Sequence, residues 1–490
     1  MDKAQSPAAS GILVPLVLAQ FLCSFAATTM NVAISSIATD LGTTVSGVQL
    51  AITTFTLTMA ALMIPGSKLT DIFGRKFCFR LGLLIYGVGA VVAALSRGLP
   101  GLVLGYSFGE GIGTALLIPP VYIFATIFTT DLKSRAKAFG AISAGAGIGS
   151  AAGPLIGGVI TSAASWRLAF GVQLLLVLVV LYLARRIEDP GVQGIRPSFD
   201  ILGAGLSAAG LFFVVVGILQ AGTYGWLRST QDFIIGSKVL IPAGGISPVW
   251  LFVLIGALLL LWFFSHIGSM ERRGKTPLLS PRMFQNRVSN LGLVTQCMQW
   301  LVLLGLSFVV SVFLQTVRGY GAIQTGLILT PATVGILVSS MLAGRMAQRR
   351  RMATLIWAGF AMTIAGVALL LLLVPGTDNV FRFVPGLLLT GLGVGVMLTA
   401  SVNVVQSSWP ESDQGEISGL SRSVSNLGSS LGVAIAGTIV ASQAAAGNTA
   451  FAVALVVLMA FGLIGLIAAV MLPDAPAGAL APQPQPAPHT

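Results

Sequence analysis

The sequence predicts an all-α integral membrane protein with about fourteen transmembrane helices. Of its 490 residues, 55% are hydrophobic and only 9% are charged. A soluble domain carries about 25% charged residues, so this chain has too little polar surface to meet water, and its solvent must be lipid. Runs such as LLLVLVVLYLA (174–184) and LFVLIGALLLLWFF (251–264) are apolar all round, with neither strand alternation nor an amphipathic stripe. Segments of this kind recur fourteen times, each about 20 residues or longer and able to cross the ~30 Å hydrocarbon core.

The spans are expected at 11–38, 46–66, 77–97, 99–128, 137–161, 167–185, 201–221, 249–269, 288–315, 325–347, 353–374, 381–407, 416–442 and 450–472. Residues 11–38 exceed a signal-peptide core and lack a clear small-residue cleavage site, so the first segment is read as a span. Residues 222–248 form the longest loop between spans. The Ala/Pro-rich segment 473–490 is expected to be a disordered tail. Lysine and arginine set the orientation. With the N-terminus inside, six of the 27 fall outside: Arg97, Arg167, Arg228, Lys238, Arg318 and Arg382. The rest face the cytoplasm, so both termini are expected to be cytoplasmic in a multi-pass protein of the cell (plasma or inner) membrane. The net charge of +12 is spent in short clusters between apolar runs, which reads as topology rather than nucleic-acid binding. Cys23, Cys78 and Cys297 are odd in number and scattered, giving neither a disulfide framework nor metal-ligand spacing.

After the second span comes GSKLTDIFGRKF, containing Gly66, Asp71, Gly74, Arg75 and Lys76. Asp71 sits at a helix C-terminus, where an anion needs a cationic partner; Arg75, and Arg135 from DLKSRAKAFG, are the candidates. Such a cluster can latch one cytoplasmic face, whereas the bland reading is a solvated turn that sets topology. In span 5, AGAGIGSAAGPLIGGV places Gly145, Gly149, Gly153 and Gly157 on one helix face. Small residues at that spacing let helices approach closely. Pro154 adds a kink beside Gly158.

The loop sequence resembles the cytoplasmic signature of the major facilitator superfamily, and the span 5 run resembles the motif of its exporters. The segments SSWRLAFGVQ, PLLSPRMFQNR and FLQTVRGYGAIQTGLILTP resemble the fourteen-span drug:proton antiporter branch. GRMAQRRR (344–351) is similar to a degenerate second copy of the loop motif, as expected of internally repeated transporters. The resemblance implies two pseudo-symmetric six-helix bundles with a two-helix insert. These fall at 11–185, 186–287 and 288–472, after a tail at 1–10. It further implies multidrug efflux and antibiotic resistance, with protons and a small molecule as partners in a lipid bilayer. No cofactor, metal, nucleic acid or obligate protein partner is expected.

The chain departs from that branch at two places. Span 1 reads FAATTMNVAI, with Ala26 where many members carry aspartate; span 4 has Ser107 where an arginine is usual. Acid and base are missing together, which is electrostatically consistent. A new acid, Glu110, stands where the branch has glutamine. Of the 15 acidic residues, only Glu110 lies near mid-membrane, about 16 Å from Leu99 at 1.5 Å per residue. Ser107, Glu110, Gly111, Thr114 and Ile118 follow helical spacing, and Gln20, Ser24, Thr28 and Asn31 form a second polar strip. The two strips are expected to meet one aqueous cavity.

An unpaired carboxyl in a low dielectric favours its protonated form. Glu110 is therefore the proton-coupling candidate, with pairing to a cationic substrate or a purely structural hydrogen bond as the other readings. Gln296, Gln299, Trp300, Asn403 and Asn426 are further candidates for substrate contact or interhelical bonding. Arg422, at the start of span 13, is expected at the cytoplasmic interface, and His266 is given a topological role. The leading expectation is a proton-coupled exporter of amphipathic or cationic compounds, working by alternating access. An uncoupled uniporter or exporter of a specific metabolite or lipid is the rival. An enzyme has almost no residues to work with: no HExxH, no Cys/His cluster, and GLGVG (391–395) inside an apolar span. A receptor or scaffold fits poorly with two related halves.

Overall fold

A computed structural model describes residues 7–128, 132–187, 198–235, 238–346, 351–374, 379–410, 413–442 and 448–473. Among them are fourteen helical spans long and apolar enough to cross a bilayer. They are span 1 (Ile12–Asp40), span 2 (Val45–Phe73), span 3 (Arg75–Ala94), span 4 (Leu99–Ala125), span 5 (Gly140–Ala163), span 6 (Trp166–Arg186) and span 7 (Ile201–Tyr224). There follow span 8 (Pro248–Arg272), span 9 (Arg287–Val317), span 10 (Ala322–Ala343), span 11 (Met352–Leu373), span 12 (Val380–Ser407), span 13 (Gln414–Val440) and span 14 (Asn448–Val470). The only sheet among the described residues is a hairpin in the loop between spans 7 and 8. Its strands, Phe233–Ile235 and Lys238–Ile241, pair antiparallel where a structureless loop was expected.

Helix ends follow local chemistry. Thr44, Ser165, Asp200 and Asn286 cap spans 2, 6, 7 and 9 by accepting from backbone N–H groups of the first turn. Span 2 departs from its expected end. Lys68 and Asp71 lower the local hydropathy, yet the helix runs on through Phe73 and stops at Gly74, whose φ of 96° only glycine adopts without strain. Asp71 therefore lies in the last turn of a helix, and the connection to span 3 is the single residue Gly74.

One apolar core draws mainly on residues between Leu16 and Ile187, and two others on residues between Val288 and Leu472. The two halves repeat a packing device. Gly82 and Gly89 of span 3 meet the backbone of Gly113, Gly105 and Gly109 in span 4, and Gly359 and Gly366 of span 11 meet Gly393 and Gly386 in span 12. The result is an all-α fold of two pseudo-symmetric six-helix bundles, joined chiefly where span 2 packs on span 13 and span 5 on span 10. Spans 7 and 8 are the insert. Span 7 packs on spans 2, 8 and 13, while span 8 has 22% of its apolar window buried against 89% for span 2, so the insert lies on the lipid-facing rim.

Candidate functional site

Between the halves lies a small cavity of about 40 Å³, built by spans 1, 2, 4, 9 and 13. Gln20, Ser24, Thr114, Trp300 and Asn426 line it, so five of the residues singled out in the sequence converge there. Gln20 Nε2 donates to Ser24 Oγ at 3.3 Å, and the Tyr122 hydroxyl donates to Gln20 Oε1 at 3.3 Å. The charged member of the lining is Arg422, whose guanidinium stacks on the Tyr122 ring at 4.6 Å. Arg422 was expected at the cytoplasmic interface. It lies eight residues into its helix from Gln414, about 12 Å along the axis, which carries it into the middle of the membrane.

Thr28 lines an adjoining cavity of about 50 Å³ with Ser150, Pro154 and Thr333. The other candidates are engaged elsewhere. Ser107 Oγ donates to the Ala51 carbonyl of span 2 at 2.7 Å. Gln296 donates to the Ser401 carbonyl at 3.1 Å and accepts from Ser421 at 2.7 Å, and Gln299 accepts from Ser401 Oγ at 2.9 Å. Asn403 lines none of the cavities found among the described residues. For these four side chains the interhelical or off-cavity alternative describes their place.

Glu110 is also off the cavity. Its carboxyl is fully buried inside the first bundle, between Tyr86 of span 3 and Gln173 of span 6. The sequence spacing puts Glu110 on one strip with Ser107, yet in the structure its carboxyl faces spans 3 and 6. The expectation that Glu110 shares a cavity with the span 1 strip is corrected: the cavity that Gln20, Ser24 and Thr114 line does not include it. The local backbone is unusual. Residues Val103–Glu110 form a π-helical stretch that ends on the acid, an element often found at functional sites. Glycines at 105 and 109 let this wider turn lie against Gly89. Next to it, the Tyr106 hydroxyl donates to the Ala26 carbonyl at 3.3 Å.

The Gln173 amide lies against both Glu110 and Tyr86, and one of its two orientations satisfies both of its ends. With Nε2 toward the acid, it donates to the two Glu110 oxygens at 3.2 and 3.1 Å and to the Tyr86 oxygen at 2.6 Å. With Oε1 there instead, it accepts from the Tyr86 hydroxyl at 2.6 Å and faces Glu110 oxygen to oxygen. That arrangement requires a proton on the carboxyl.

The halves also meet above and below the cavity. On the face carrying the span 2–span 3 connection, Asp71, Lys68 and Arg75 line a cleft of about 430 Å³ with Gln414, Gly415 and Glu416 of span 13. Ser67 Oγ donates to the Gly415 carbonyl at 2.9 Å, and Ser423 bonds the Ala60 carbonyl. Asp71 thus faces the N-terminal turn of span 13, where a carboxylate is favoured by the helix dipole. Gly66 packs on the span 4 backbone at Ala115, and Lys76 follows in the first turn of span 3. The side chain of Arg135, the residues 347–350 and the tail from 474 fall outside the described residues.

On the opposite face, Asn31 Nδ2 donates to Ser307 Oγ at 3.1 Å. Gln315 Nε2 donates to the Asn31 carbonyl at 3.1 Å, and Gln315 Oε1 accepts from Ser35 N at 3.0 Å. Gly145, Gly149, Gly153 and Gly157 of span 5 all lie against span 1, while Gly158 and the Pro154 carbonyl meet span 10. Span 5 is wedged between the halves. Sequence reasoning missed Arg422, Tyr122 and Gln173 as site residues. The available signal was depth: a cation and an amide well inside apolar helices.

A family model described as Major Facilitator Superfamily matches residues 16–433. The chain is 28% identical to the probable actinorhodin transporter of Streptomyces coelicolor, over 84% of this chain and 69% of that one. It is 29% identical to the puromycin resistance protein of Streptomyces alboniger, over 89% and 82%. It is 26% identical to the methylenomycin A resistance protein of Bacillus subtilis, over 90% and 89%. In fold it is similar to the crystal structure of the human organic anion transporter MFSD10, with a TM-score of 0.61 at 15% identity, over 95% of this chain and 100% of that one.

Proposed function

Because the chain belongs to the major facilitator superfamily, we propose that it is a proton-coupled exporter of amphipathic small molecules, working by alternating access in the cell membrane with both termini cytoplasmic. The carrying observation is the small cavity of about 40 Å³ between the halves, with hydrogen bonds between them on both sides of it. A solute can reach such a site only if one set of bonds opens while the other holds. The relatives named as resistance proteins support outward transport of toxic compounds. The Asp71 cluster is the latch of the cytoplasmic face. The glycine row of span 5 is the bearing on which span 1 slides.

Glu110 carries the proton. Protonated, it donates to Gln173 Oε1; ionised, it accepts from Gln173 Nε2 and from Tyr86. In the ionised state the Gln173 amide and the Tyr86 hydroxyl bond the carboxylate, so the charge is not stranded when the proton leaves. Coupling to the cavity runs through span 4, which bears Glu110 and, one turn on, the cavity residue Thr114. The test follows proton movement in proteoliposomes as ethidium or fluorescein is added, comparing wild type with Glu110→Gln. Dye-driven proton flux that is lost in the variant supports the reading. Flux that survives moves the proton site elsewhere, and dye transport without proton flux in wild type makes the protein an uncoupled carrier.

A further inference from the structure

The one ionisable cation in the central cavity has no anion to meet. Arg422 contributes five N–H donors, and no salt bridge or hydrogen bond joins it to an acceptor among the described residues. Its neighbour is the face of Tyr122 at 4.6 Å. Spans 1, 2, 4, 9 and 13 present amides, hydroxyls, the Cys23 thiol, methionines and Trp300, and no carboxylate among the described lining. The nearest intramembrane acid, Glu110, is held by Tyr86 and Gln173. Asp71 and Glu416 belong to the cleft on the latch face.

A second donor points the same way. Thr114 Oγ1 is buried beside the Cys23 thiol, lines the cavity, and makes no hydrogen bond to a nitrogen or oxygen among the described residues. Holding a cation between membrane-spanning helices without an anionic partner is costly. A bound oxyanion removes that cost, because the planar guanidinium grips two oxygens at once. The indole of Trp300, with Met59, Met63 and Ile118, supplies the apolar wall for an aromatic body.

We infer that the cavity selects amphipathic substrates bearing an oxyanion, a carboxylate or phenolate on an aromatic frame, and that Arg422 on its Tyr122 platform is the group that binds it. This inference rests on the exporter reading for its biological sense and replaces the cationic substrate expected from the sequence. It gives the two buried charges separate tasks: Glu110 for the proton in one bundle, Arg422 for the substrate between bundles.

Fluorescein and rhodamine 6G share a xanthene frame and differ in the sign of their charge. Their equilibrium binding to the full-length protein in phosphatidylcholine nanodiscs, read by fluorescence anisotropy, tests the inference on wild type, Arg422→Gln and Arg422→Lys. Wild type should prefer fluorescein. Arg422→Gln should weaken fluorescein at least about tenfold, as expected for a lost charge-assisted contact, and leave rhodamine 6G unchanged or tighter. Lysine should restore part of the loss, since it keeps the charge without the planar fork. A wild-type preference for rhodamine 6G, or equal loss of both dyes in Arg422→Gln, overturns the inference. So does fluorescein binding that vanishes when phosphatidylglycerol is added, which would assign the site to a lipid headgroup.

A second measurement needs no dye affinity. In a chain with its three cysteines replaced by serine, Ser24→Cys should react faster with an anionic than with a cationic methanethiosulfonate. Adding Arg422→Gln should shrink that ratio about tenfold, and an unchanged ratio overturns the inference even where neither dye binds. Neither readout requires transport. A protein that binds fluorescein yet moves nothing across a membrane fails as an exporter while its anion site stands.

Discussion

Replacing Gly89 by alanine tests whether the π-helical turn and the Glu110 site depend on the contact between spans 3 and 4. A Cβ at position 89 would stand 2.7 Å from Glu110 N, Gly105 O and the Gly109 carbonyl carbon, all of them backbone atoms. Ordinary contact begins at 3.4 Å, so the helices must separate by about 0.7 Å, since no side chain can turn aside. Tyr86 lies one turn from Gly89 on the same helix. A movement of that size strains the hydrogen bond its phenol makes with Glu110. Overpacking of this kind costs about 1–3 kcal/mol. The expected outcome is a lower thermal unfolding midpoint, read by intrinsic fluorescence, together with reduced proton flux in proteoliposomes and unaltered dye binding. Gly87→Ala is the control. Its Cβ would meet side-chain ends, Val177 Cγ1 at 3.3 Å and Leu174 Cδ1 at 3.5 Å, which can shift. If Gly89→Ala is as stable and as well coupled as wild type, or if Gly87→Ala does equal damage, the reasoning is wrong.

Other perturbations address the faces and the acid. Tyr86→Phe should keep the fold and slow proton flux several-fold, because ionised Glu110 loses one of its two donors; an unchanged flux would exclude the phenol from the proton site. Gln315→Ala removes two bonds between spans 1 and 9, at about 0.5–1.5 kcal/mol each. It should speed labelling of a cysteine placed at Ser307, whereas an unchanged rate would mean that these bonds do not hold that face closed. Asp40→Asn breaks an ion pair with Arg167, whose guanidinium also donates to the Ser96 carbonyl at 2.8 Å. Both partners are partly exposed, so the loss should stay within about 1 kcal/mol, and a larger drop in unfolding midpoint would contradict that reading.

Composition and hydropathy determine much of this protein on their own. Charged residues are too scarce for a water-facing surface, and a backbone in lipid must bond within itself, so fourteen helices follow with ends misplaced by a few residues. The main exception is span 2, where charges at 68 and 71 masked a helix that only Gly74 could end. Glycine spacing in span 5 likewise fixed which face meets span 1, because that relation is internal to one helix.

Which residues share a cavity is a different matter, since it depends on how far each helix is rotated against its neighbours. The polar strips of spans 1 and 4 were legible, but the π-helical stretch that ends on Glu110 set which way it turns, so that Thr114 opens on the cavity and Glu110 on Tyr86 and Gln173. The same holds for Arg422. Its number along the chain gave a depth, while its company, an aromatic face and no acid, exists only once spans 4 and 13 lie side by side. Periodicity records the face a residue occupies on its own helix. The packing of five helices from two halves decides what that face meets.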